Sequence, residues 1–148
     1  MKKIFFLTSL LFITAFFSQS IKAQTEAQRI ELCTKVAGDA TLEQSYAIQL
    51  SSAKDGERAP TFKKAVAMRK DNRYRFTICT DEESAGEGIL QVWDEARIVG
   101  SSYNSSTGKT YQSFDFDCTK TAIYVIIISF KDDKGGSAVG VVSHVKTL

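Results

Sequence analysis

The sequence predicts an all-β fold: an eight-stranded antiparallel β-sandwich of jelly-roll type with a short N-terminal helix. Three observations carry this. From Tyr46 to Val145, apolar residues alternate with polar ones at period two, the pattern of strands with one buried face. The runs are short, punctuated by turn residues, and have no helical stretch between them, so no parallel crossover units can form. One run, residues 121–130 (TAIYVIIISF), is almost wholly β-branched or aromatic, which suits a packed strand and not a helix. Its two faces are both apolar, with Ile123, Val125 and Ile127 on one and Tyr124, Ile126, Ile128 and Phe130 on the other. It reads as a central strand covered on both sides, with the N-terminal helix or a partner protein as the second cover. A closed barrel is the competing architecture; two sheets in jelly-roll order fit the strand count.

Residues 1–23 have the layout of a secretory signal peptide: Lys2 and Lys3, an apolar run over residues 4–17, a polar stretch, and Ala23 before Gln24 as the cleavage point. An uncleaved anchor is the competing reading, but the apolar run is short for a membrane span. Residues 24–148 then form a single sandwich domain, with 24–44 as an N-terminal helix or arm and no membrane span after cleavage. The full chain carries 19 basic and 17 acidic residues. The leader holds Lys2, Lys3 and Lys22 and no acid, which leaves sixteen bases against seventeen acids, a net charge of −1. Such a balance gives no electrostatic attraction to nucleic acid.

Within the domain, Thr25 caps a helix over residues 25–36, and Gln28 completes a capping box. Ile30, Cys33 and Val36 form its apolar stripe, and Gly38 ends it. Tyr46, Ile48 and Leu50 mark the first strand, and residues 51–60 are a loop. In the second strand Phe62, Val66 and Met68 point inward, with Lys63, Ala65 and Ala67 outward. In the third, Tyr74, Phe76 and Ile78 point inward, with Arg73, Arg75 and Thr77 outward. An acidic loop follows at residues 81–88. Residues 89–93 and 97–103 make a hairpin. The sixth strand, residues 110–117, turns Phe114 and Phe116 inward and Asp115 and Asp117 outward. The seventh is the run at 121–130. A hairpin loop at 132–136, with Gly135 and Gly136 free to take positive φ, leads to the last strand at 138–145.

Residues 73–78 (RYRFTI), 88–94 (GILQVWD), 114–116 (FDF) and 120–126 (KTAIYVI) resemble the strands of exported bacterial jelly-roll modules, in the style of pre-peptidase C-terminal domains. The resemblance covers residues 73–130. It implies an exported sandwich serving as an accessory to a secreted partner, and it supplies no catalytic residue.

Three cysteines in an exported chain imply one disulfide and one thiol. In jelly-roll order the first, eighth, third and sixth strands share a sheet, which puts Cys79 and Cys118 at opposite ends of it. Cys33 precedes the first strand, whose start lies at the Cys118 end. The expected bridge is therefore Cys33–Cys118, with Cys79 a packed thiol. His144, the one histidine, lies near the C-terminus as an edge-strand residue, and no nucleophile elbow surrounds Ser143. Residues 106–110 (STGKT) lack the first glycine of a phosphate-binding loop, because Tyr103 stands there. Asp81, Glu82, Glu83 and Glu87, and separately Asp132 and Asp133, offer oxygen ligands without the spacing of a calcium loop. Asp115 and Asp117 share a strand face about 7 Å apart, near a glycosidase separation. Trp93, Tyr103 and Tyr111 are candidate binding-surface aromatics.

The expected function is a non-enzymatic binding or structural role at the bacterial envelope or outside the cell. It needs no cofactor, and its partner is an envelope protein or a glycan. Two other readings are an accessory or inhibitory module for a secreted partner and a hydrolase using the sheet-face carboxylates. An enzyme calls for charged groups converging in a deep pocket; a binding module calls for an exposed aromatic patch or a shallow groove.

Overall fold

The computed structural model describes residues 24–148; the expected leader, residues 1–23, lies outside them. Helix α1 (Glu26–Val36) begins with the anticipated capping box. The Thr25 hydroxyl accepts from the Gln28 amide, and the Gln28 side chain accepts from the Thr25 amide. Ten strands follow: β1 (Thr41–Leu50), β2 (Phe62–Met68), β3 (Asn72–Thr80), β4 (Gly88–Asp94), β5 (Arg97–Ser101), β6 (Tyr103–Asn104), β7 (Lys109–Thr110), β8 (Ser113–Cys118), β9 (Ala122–Phe130) and β10 (Gly136–Thr147).

Two four-stranded antiparallel sheets form, in the orders β1-β10-β3-β8 and β2-β9-β4-β5, with β6 and β7 as a small separate ribbon. The first order is the one expected from jelly-roll topology. The strand count rises from eight to ten because two expected strands are each broken in two. Ser102 causes the break. Its hydroxyl accepts the Leu90 amide and its own amide donates to the Leu90 carbonyl, both at 2.9 Å. Its carbonyl then takes the Tyr111 amide at 2.7 Å, so the chain between swings out as the β6–β7 ribbon.

The expected hairpin after residue 130 is corrected. β9 and β10 belong to different sheets, so the link is a crossover, with a 3-10 turn at Lys131–Asp133. Asp132 and Asp133 take the left-handed conformation there, at φ 59° and 55°, and Gly135 and Gly136 do not. Gly135 is needed for room instead: a Cβ on it would lie 2.5 Å from the Leu50 carbonyl oxygen and the Ser52 nitrogen.

The core fills the space between the sheets. Tyr74, Phe76, Val142 and Cys118 from the first meet Leu90, Val92, Tyr124 and Ile126 from the second. Phe76 stacks on Phe114, and Phe116 sets its edge against Tyr124. Burial holds the Tyr124 hydroxyl above the ordinary phenol range, and it donates to the Lys120 carbonyl at 3.1 Å.

α1 packs on the outer face of the first sheet. Its contact stripe is Ile30, Cys33 and Ala37 against Ala47, Val139 and Val141; Val36, expected on that stripe, is exposed. The disulfide is Cys33–Cys79, which corrects the expected Cys33–Cys118 pairing. The reason is side-chain direction. Cys118 shares the inward face of β8 with Phe114 and Phe116, and it is a buried free thiol in the core. Cys79 shares the outward face of β3 with Arg73 and Arg75, where α1 lies. The whole sheet separates Cys118 from the helix.

Candidate functional site: the bare outer face of the second sheet

The sandwich has two outer faces, and they differ. The first is partly roofed by α1. The second carries no covering element among the described residues. Its centre is β9, flanked by β2 and β4, and the outward residues of β9 are Ile123, Val125 and Ile127. Register places Ala67 opposite Ile123 and Ala65 opposite Val125 on one side. On the other side Trp93 lies opposite Val125. Trp93 in turn pairs with Ile98 on β5, next to a bulge between Val92 and Trp93; such irregularities re-aim side chains at the edge of a sheet. The result is a continuous apolar strip four strands wide.

Ile123 is 67% exposed and Ile98 45%, while Ile126, on the opposite face of the same strand, is fully buried. Single exposed aliphatics are ordinary; a contiguous cluster around an indole makes this face the candidate surface. The Trp93 Nε1–H donates to the Gln91 side-chain oxygen at 3.3 Å, so the indole N–H is satisfied within the face. At the lower border Lys120 Nζ sits 2.9 Å from Asp94 Oδ2. That hydrogen bond raises the Lys120 ammonium above the usual lysine range.

The expected aromatic trio does not converge. Trp93 alone belongs to this face. Tyr103 lies in β6 with the Lys131 ammonium 5.6 Å from its ring centre, and Tyr111 follows β7 and is half exposed.

The carboxylate pair on β8 is also accounted for. Arg75 grips Asp115 through two bonds of 2.7 and 3.0 Å, and Arg73 grips Asp117 through bonds of 2.5 and 2.8 Å. These hydrogen bonds hold both carboxyls below the ordinary aspartate range. A glycosidase acid needs its pKa raised, so the pair is wrong for that chemistry. His144 is corrected too: it lies near the end of β10, an interior strand of its sheet. Its Nε2 is 2.9 Å from the Asn72 side-chain oxygen, an amide and not the carboxylate that a catalytic triad would place there.

A groove of about 580 Å³ runs between α1 and the acidic loop. Two of its charged groups are paired: the Arg29 Nε–H donates to Asp81 at 3.1 Å, with Nη2 3.0 Å from the second carboxylate oxygen but off the hydrogen-bond line; Glu82 and Glu83 also line it. Cys79 in its wall is oxidised. Glu87, expected among the loop ligands, accepts from the Thr110 hydroxyl. Among the described residues, no three His, Cys, Asp or Glu side chains come together as a metal site.

Sequence reading found β9's second apolar face and the outward turn of Ala65 and Ala67, but not that these two and Ile98 lie beside it. The signal was the outward parity of each flanking strand, which becomes a surface only once the strand order is known.

No family model matches the chain and no curated protein matches it, so the resemblance to pre-peptidase C-terminal domains rests on strand patterns alone. Among solved structures it is similar to that of Aeromonas hydrophila PliG, described as a periplasmic lysozyme inhibitor of g-type lysozyme. The two chains are 8% identical with a TM-score of 0.47, over 72% of this chain and 89% of that one. At that distance nothing about ligand or partner carries over.

Proposed function

We propose that this chain is an exported, non-enzymatic β-sandwich that binds a component of the cell envelope through the outer face of its second sheet. The observation that carries the reading is the asymmetry of the two outer faces. One is roofed by a disulfide-tied helix; the other displays Ile123, Ile98 and Trp93 to solvent. The disulfide supports an oxidising compartment, periplasmic or extracellular, as does the signal-like leader. The paired state of Asp115, Asp117, Arg29 and Asp81 supports a binding role over a hydrolytic one.

The test is retention on isolated envelope fractions of residues 24–148, wild type against an Ile123→Asn, Ile98→Asn variant. These substitutions are on the surface and leave the core alone. Retention of the wild type and loss in the variant is the expected result. Equal retention of both would place the binding surface elsewhere and sink the proposal.

A further inference from the structure

Residues 51–61 carry the chain from β1 of the first sheet to β2 of the second. The base of this loop is pinned. The Ala53 amide donates to the Asp133 carbonyl at 2.9 Å, and the Ser52 hydroxyl accepts the Gly135 amide at 2.8 Å. The tip is held far less. Lys54, Asp55, Gly56, Glu57 and Arg58 are all exposed. Among the described residues, one hydrogen bond closes the turn around Asp55 and Gly56, from the Glu57 amide to the Lys54 carbonyl at 2.9 Å. Exposed loop tips are where covalent change is tolerated.

The pair at this tip has a chemistry the rest of the chain lacks. The amide nitrogen that follows an aspartate can attack the side-chain carboxyl and close a five-membered ring. A side chain on the attacking residue hinders the approach; glycine has none. The other eight aspartates and both asparagines are followed by residues with side chains, and Asp55 alone precedes a glycine. A Cβ built on Gly56 would meet no atom within 4 Å, so the space beside it is open. Among the described residues the Gly56 N–H has no acceptor and the Asp55 carboxylate has no partner. The two asparagines, which could close the same ring, are tied down. Asn104 Oδ1 accepts the Ser106 and Thr107 amides at 3.0 and 3.3 Å. Asn72 Nδ2 donates to the Lys70 carbonyl at 2.9 Å, and its Oδ1 lies 2.9 Å from His144 Nε2.

We propose that Asp55–Gly56 is a self-modification site at which the chain converts to an isoaspartyl linkage. The Gly56 nitrogen bonds to Asp55 Cγ, and the hydroxyl of the protonated carboxyl leaves with the amide proton as water. Water then opens the ring. Where it adds at the Asp55 main-chain carbonyl carbon, the bond from that carbon to the Gly56 nitrogen breaks. The chain now runs on through Cγ, and the former main-chain carbonyl becomes a free carboxylate. One water is lost and one is gained, with no oxidation or reduction. The main chain lengthens by one methylene and the charge is unchanged. Because all five tip residues are exposed, the product keeps the fold, and the protein acquires a second covalent form at the link between its sheets. This stands apart from the envelope-binding reading above.

The test ages residues 24–148 for weeks in mildly acidic buffer at physiological temperature. Protein isoaspartyl methyltransferase with labelled S-adenosylmethionine then counts isoaspartyl groups. The expected result is label that grows with time, and a peptide map in which the Asp55 peptide splits into two peaks of equal mass. Hydroxylamine, which attacks the cyclic intermediate, should cut the chain after Asp55. Asp55→Glu should lose the label, since a glutamate must close a larger and slower ring, and the unfolding midpoint of this surface variant should match wild type. Two results would overturn the assignment: aged wild type that takes no label, or label that Asp55→Glu leaves unchanged.

Discussion

Removing the Cys33–Cys79 bridge gives the sharpest test of how the sandwich and its helix hold together. The perturbation is Cys33→Ser with Cys79→Ser. The bridge spans 46 residues, and loop-closure entropy for that span is about 4 kcal/mol at 25 °C. The residues between Gln24 and Leu148 carry an unfolding entropy of about 0.26 kcal/mol/K by the usual per-residue value. The midpoint should therefore fall by about 15 °C. The loss should not be uniform. Apart from the disulfide, α1 holds the sheet through Ile30 and Ala37, the Arg29–Asp81 pair and one bond from the Arg75 guanidinium to the Ala37 carbonyl at 3.1 Å. Its amides should lose exchange protection before those of β9. Thermal unfolding by circular dichroism reads the first effect and hydrogen exchange the second. Alkylation of the wild type, unfolded without reductant, should label Cys118 alone. Labelling at Cys79, or a midpoint within a few degrees of wild type, would refute the pairing or the anchoring role.

Three further outcomes follow from the packing and the charges. Ile126→Ala should cost about 2–5 kcal/mol in urea unfolding, while Ile123→Ala, three residues earlier on the same strand, should stay within about 0.5 kcal/mol; similar losses for both would mean the outer face is covered. A Cβ on Gly140 would come within 2.7 Å of Ile128 Cδ1, so Gly140→Val should destabilise by about 1–3 kcal/mol through overpacking between the sheets, and an unchanged urea midpoint would contradict the close approach. The Arg75 hydrogen bond lowers the folded pKa of Asp115, so its contribution is complete above the ordinary aspartate range and is lost as pH falls through the lowered folded value. Asp115→Asn should flatten that acid limb of stability against pH, and an unaltered limb would show the pair to be energetically idle.

The sheet memberships were legible in the sequence because period-two alternation names the inward residues of each strand, and jelly-roll connectivity orders the strands. The break at Ser102 was not legible. It depends on a buried serine exchanging three hydrogen bonds with Leu90 and Tyr111, which no local pattern announces. The crossover after β9 was misread for a related reason: Asp132, Asp133 and the two glycines look like a hairpin turn, but whether a turn returns within a sheet or crosses to another is set by the core and not by the turn.

The disulfide shows which of two sequence rules dominates. Position along a strand put Cys118 at the end where β1 starts, and so favoured it as the partner of Cys33. Parity put Cys118 on the side of Phe114 and Phe116, and Cys79 on the side of Arg73 and Arg75. Parity wins, because a wrong position along a strand can be absorbed by sliding a helix, whereas a wrong face puts a whole sheet between two sulfurs. The same rule locates the bare surface. With Cys79 facing outward, α1 is bound to the outer face of the first sheet and cannot reach the second. Had Cys118 been the partner, the helix would have had to end at the core edge, beside the lower border of β9, where it could have shielded Ile123. The outward parity of Cys79 therefore settles which sheet is roofed, and leaves β9 with one face in the core and one open to solvent.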